Sequence, residues 1–119
     1  MTKEIALKDW PAFCQIISEK YQGARINIQV INGHVEKVAE AVTLKKLLLD
    51  EQSDACNNML TIEMESSQYQ VVEPIHFILR KHPGQGDSEK FHDLEIFAEN
   101  GTTVITFHPG IATNHLDGM

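Results

Sequence analysis

Only two cysteines occur in 119 residues, Cys14 and Cys56, and they share no CxxC spacing. Too few for a disulfide framework or an all-cysteine zinc site, they are expected to be reduced thiols. No apolar run approaches the roughly 20 residues that cross a bilayer. The opening MTKEIALKDW is interrupted by Lys3, Glu4, Lys8 and Asp9, so it lacks a secretory signal core. A cytoplasmic protein without a membrane role is the expectation. The histidines His34, His76, His82, His92, His108 and His115 show no HxxxH or HxH spacing. A zinc site needs three or four converging ligands, so no metal is expected. Gly84 and Gly86 sit in PGQGDSEK, which does not match the GxxxxGK[ST] phosphate loop. No cofactor is expected either.

Basic residues are scarce in the second part of the chain. Residues 1–49 hold seven Lys/Arg against five Asp/Glu, whereas residues 50–119 hold three against twelve, within a net charge of −7. An acidic half repels a phosphate backbone, because nonspecific nucleic-acid binding rests on Lys and Arg neutralising phosphates. The apolar fraction of 42% is enough for the core of one domain.

The strongest local signal is Phe91 to His108, two alternating runs joined by Asn100-Gly101. Asn-Gly suits a type I′ hairpin turn, which needs positive φ at both central residues. A two-residue turn there places Phe97 opposite Val104, Ile96 opposite Ile105 and Asp93 opposite His108. One face then carries Leu94, Ile96, Ala98, Thr103, Ile105 and Phe107. The other is polar except for Phe97 and Val104.

Residues 9–22 are predicted as an amphipathic helix. Asp9 is a suitable N-cap, Pro11 is tolerated in the first turn, and Gly23 suits the position that ends it. Trp10, Phe13, Cys14, Ile17 and Tyr21 form its apolar stripe. Arg25 to Ile31 alternates as a strand, followed by a second hairpin signal at Asn32-Gly33. For 34–42 the turn asks for a strand with a bulge near Glu36-Lys37, while Val35, Val38, Ala39 and Val42 fit a helical period. Thr43 to Glu51 is expected as a turn into a short helical or irregular segment, and 52–58 as a loop. Met59 to Glu65 alternates again. Tyr69 to Lys81 is a strand interrupted at Pro74, with Ile78 on its outward side. His82 to Lys90 is loop-like, and from Pro109 onward a fraying tail is expected.

The sum is one α+β domain over 1–108 with a flexible C-terminal tail over 109–119: an N-terminal helix and five or six mostly antiparallel strands. Such a sheet can close into a small SH3-like or Sm-like barrel, or stay open with the helix across one face.

Lys8-Asp9-Trp10-Pro11-Ala12-Phe13, then Gly23 leading into an alternating strand, then Asn100-Gly101-Thr102-Thr103, resemble a bacterial family of domains of unknown function. The resemblance covers most of the chain. It implies a compact bacterial domain with no established activity, and it supplies no functional residues. A looser likeness is to Sm-like proteins, whose first hairpin Ile28-Gln29-Val30-Ile31-Asn32-Gly33 looks like. The later basic, glycine-containing RNA-binding motif of those proteins is missing here.

Catalytic patterns are equally sparse. Cys56 has Asp54 and Asn57 nearby and no positive charge to activate a thiolate. Glu63, Glu65, Glu95 and Glu99 alternate with core residues, as a solvated sheet face does. The feature that stands out is the outward apolar pair Phe97 and Val104, extended by Ile78. Such a patch on a polar face marks a contact surface, unless the helix or a loop covers it. The expected function is therefore a non-enzymatic protein-interaction or self-association module. The alternative is an Sm-like nucleic-acid binder using Lys20, Arg25, Lys37, Lys45 and Lys46.

Overall fold

Among the described residues, one α-helix and eight strands form in the order β1 (Thr2–Ile5), α1 (Trp10–Lys20), β2 (Arg25–Ile31), β3 (Val35–Asp50), β4 (Met59–Met64), β5 (Gln68–Val72), β6 (Pro74–Arg80), β7 (Lys90–Ala98) and β8 (Gly101–Ala112). This computed structural model describes residues 2–50, 58–81, 90–116 and 118–119. The loops expected at 52–58 and 82–90, with Cys56 and His82, lie almost wholly outside the described residues.

All pairings are antiparallel, and the spatial order is β1-β6-β7-β8-β2-β3-β4-β5. The strand count exceeds the expected five or six because β1 is an additional strand and the interrupted strand expected over Tyr69 to Lys81 is two strands. β1 buries a single side chain, Ile5, and so shows no alternation. β3 runs unbroken through the segment expected to be helical or irregular. Its first part pairs with β2 and its second part, Leu44–Asp50, pairs with β4. The bulge expected in β3 is present, shifted towards Ala39 and Ala41, where Ala41 has φ +52° and donates its N–H to Asn27 Oδ1 at 2.6 Å. Tyr69 to Lys81 is two strands. Glu73, at φ +53°, separates β5 at one edge of the sheet from β6 next to the other edge. No pairing joins β1 to β5 among the described residues, so the sheet is open.

The helix is where its stripe predicts. Trp10, Phe13, Cys14, Ile17 and Tyr21 are all buried. Trp10 and Phe13 pack on Phe77 of β6, and Tyr21 packs edge-on against Phe107 of β8. Gly23 follows the helix with φ +89°. The core face of the sheet carries Ile26, Ile28, Phe77, Leu79, Leu94, Ile96, Ile105 and Phe107, in agreement with the alternation of the sequence.

A flexible tail is expected over 109–119, but residues 109–116 are part of the fold. β8 continues to Ala112 after a register shift, and a 3-10 turn follows over Thr113–Leu116. Ile111 and Leu116 are buried, and Tyr21 holds the segment through two hydrogen bonds. A bulge between Phe91 and Asp93 breaks the period there, which is why the sequence looked patternless.

Candidate functional site

The apolar residues singled out on the last hairpin meet on the outer face of the sheet. Two rows of cross-strand neighbours define the place. One runs Glu4, Ile78, Glu95, Val104, Gln29, Lys37 across β1, β6, β7, β8, β2 and β3. The next runs His76, Phe97, Thr102, Ile31, Val35. Ile78, Phe97 and Val104 are half-buried. The helix lies on the opposite face, against Phe77 and Phe107, and does not cover them.

Phe97 and Val104 are diagonal neighbours, not the directly opposed pair that the sequence suggests. The two-residue turn is Glu99-Asn100, with Ala98 opposite Gly101. Asn100 keeps a negative φ, and only Gly101 takes a positive one, +138°. The register is displaced by two residues. An even displacement preserves the side-chain faces, so every in-or-out assignment on this hairpin survives. Asp93 accordingly faces Thr106, whose Oγ1 donates to Asp93 Oδ1 at 2.8 Å, and not His108.

Two members of the surface were missed. Ile31 is 42% exposed and Val35 59% exposed, and both extend the Phe97 row. Ile31 continues the outward parity of Arg25, Asn27 and Gln29, so that signal was present in the sequence. The rim is charged but nearly balanced. Arg80 pairs with Glu95, and Glu4 Oε2 lies 2.7 Å from His76 Nδ1. On the outer face Arg25, Lys37 and Arg80 stand against Glu4, Glu40, Asp93 and Glu95, one acid in excess, and Glu40 pairs with Lys37.

The other chemical candidates do not converge. Among the described residues, no three His, Cys, Asp or Glu side chains gather as metal ligands. Cys14 is core. Glu63 lies 4.0 Å from Lys45, on the far part of the sheet from Glu95. Tyr21 is a perturbed acid. Burial raises its pKa, and the hydrogen bond from the Ala112 N–H partly offsets that. Its hydroxyl also meets His115 Nδ1 at 2.8 Å. The arrangement ties the C-terminal segment to the helix.

A model of a family of unknown function, DUF5335, matches residues 1–115. The chain belongs to this family. No curated protein and no solved structure matches it. No helix among the described residues is long and apolar enough to cross a membrane.

Proposed function

We propose that this DUF5335 chain is a non-enzymatic cytoplasmic module that self-associates through the outer face of its sheet, around Phe97. One observation carries the reading. Ile31, Val35, Ile78, Phe97 and Val104 share a face that the helix leaves open. Charge favours a second copy as the occupant. A chain of net charge −7 repels itself over most of its surface, but on this face acidic side chains exceed basic ones by only one. Exposed apolar surface with a polar rim is the usual anatomy of a protein contact.

The bent sheet is also read as an unclosed barrel of the SH3-like or Sm-like kind. Glu73 alone joins the edge strand β5 to β6, which requires the sheet to curl back on itself.

Analytical ultracentrifugation of wild type and Phe97→Ser tests the function. Self-association should weaken in the variant, with an unchanged circular dichroism spectrum and melting temperature. Equal association in both proteins, or an unfolded variant, would mean that Phe97 serves the fold alone.

A further inference from the structure

Stretches of strand edge without a strand partner among the described residues include β1, the first half of β3 and β5, and they are not alike. β1 is four residues long and carries Lys3 and Glu4. The first half of β3 carries Glu36, Lys37 and Glu40, and its register is broken by bulges. Short length, charge and bulges are the usual means of blocking edge-to-edge pairing. β5 is the other terminal strand, with the sequence Gln68-Tyr69-Gln70-Val71-Val72. It has no charge, no proline and an unbroken register with β4.

The backbone phase of β5 follows from its ends. Glu73 N–H donates to Asn58 O at 2.9 Å, and Met64 N–H donates to Ser67 O at 2.8 Å. In an antiparallel ladder, hydrogen-bonded and non-hydrogen-bonded pairs alternate. Tyr69 and Val71 therefore direct their amides and carbonyls at β4. Gln68, Gln70 and Val72 direct theirs away from the sheet, and all three residues are exposed.

We propose that β5 is a strand-addition edge that takes β5 of a second copy, antiparallel, about a twofold axis at Gln70. In that register Gln70 faces its own counterpart, Gln68 faces Val72, and Tyr69 faces Val71. Each outward-directed residue meets another outward-directed residue, so all three pairs can exchange both backbone hydrogen bonds. The two Tyr–Val pairs are aromatic with β-branched, a favourable cross-strand combination. They lie on the inner side, beside the small cleft that Val71 shares with Val30, Ala98 and Thr103. No charge meets a like charge, although the chain as a whole is strongly acidic. A self-complementary neutral strand fits a second copy, and a charged peptide would gain nothing from it.

Five residues a side fall short of the roughly 1,000 Å² that a stable interface buries. The pairing is accordingly weak, and sedimentation should cover about 10 μM to 1 mM. It does not rest on the Phe97 surface. Wild type should show concentration-dependent dimers. Gln70→Lys and Gln70→Glu each place like charges at the twofold axis and should weaken β5 pairing about fivefold. An equal mixture of the two should restore it, because Lys then faces Glu. A Phe97→Ser chain should retain this mixture-dependent dimer. Gln70→Lys and Gln70→Glu proteins that each associate like wild type would overturn the proposal. So would a mixture that stays as weak as its components, or loss of all association in Phe97→Ser, which would leave the outer face as the only contact.

Discussion

The indole of Trp10 lies flat on the ring of Phe77, with centroids 4.1 Å apart and planes within 3° of parallel. Trp10 is the first residue of the helix and Phe77 sits in the middle of β6, so this stack fixes where the helix enters the sheet. The indole N–H also donates to Ile5 O at 3.0 Å, which ties the edge strand β1 to the same point. Trp10→Ala should cost about 3–5 kcal/mol through the cavity it leaves. Against the roughly 5–15 kcal/mol of a whole domain, that brings the protein near unfolding. Trp10→Phe keeps a ring on Phe77 and should lose less. Urea titration followed by circular dichroism measures both, since the substitutions remove the only tryptophan.

Ser18 substitutes for a missing strand. Where β3 pairs with β4, its other edge faces the helix, and Ser18 Oγ accepts the Leu47 N–H at 2.9 Å. The hydroxyl proton has two carbonyls in range, Leu47 O at 3.1 Å and Cys14 O at 2.7 Å. Ser18→Ala leaves the Leu47 amide unsatisfied in a partly buried place, at a cost of about 1–3 kcal/mol. Alanine's better helix propensity returns about 0.5 kcal/mol of that. A net loss of about 1–2 kcal/mol is expected. Hydrogen exchange should speed up at Leu47, while the core amides of β8 change only with global stability.

These two contacts show what was legible and what was not. The helix stripe read correctly because a single element with one buried face keeps a single period. The hairpin faces read correctly because parity survives an even slip in register. The second part of β3 did not read as a strand because β3 serves two pairings with a bulge between them. The shift between Leu44 and Lys46 spaces the buried Leu44 and Leu47 three apart, which imitates a helix. The outer surface was half legible. Phe97, Val104 and Ile78 stood out against polar neighbours, whereas Ile31 and Val35 flank a turn where exposure depends on which strands lie beside them. The Tyr21–His115 contact joins residues 94 positions apart, and no local pattern announces it.

Gly101 explains the displaced turn. A Cβ there would stand 2.8 Å from Ile31 O and 3.1 Å from Asn32 Cβ, and its φ of +138° is strained for any other residue. The two hairpin ends approach too closely for a side chain. Gly101→Ala should therefore cost about 2–3 kcal/mol. Gly33 also has positive φ, but a Cβ there meets nothing within 4 Å. Gly33→Ala should cost about 1 kcal/mol, the conformational part alone. Thermal melts of the pair, side by side, separate close approach from backbone strain.

Tyr21 makes stability depend on alkaline pH. Its hydroxyl accepts the Ala112 N–H at 2.7 Å and shares a hydrogen bond with His115 Nδ1 at 2.8 Å. Burial raises the Tyr21 pKa above its ordinary value of 10.0, and the Ala112 hydrogen bond offsets part of the rise. The unfolded chain therefore releases this proton first. Between pH 10.0 and the higher folded pKa, the unfolded state binds fewer protons, and stability falls as pH rises. Below that window the contribution is complete and flat. Tyr21→Phe should lower stability by about 1–3 kcal/mol near neutrality through the lost hydrogen bonds. The gap between wild type and variant should then narrow above pH 10, because only wild type loses stability from this group. Unfolding free energies measured by urea from pH 7 to pH 11 check the sign. A gap that stays constant across the range would show that Tyr21 ionises equally in both states.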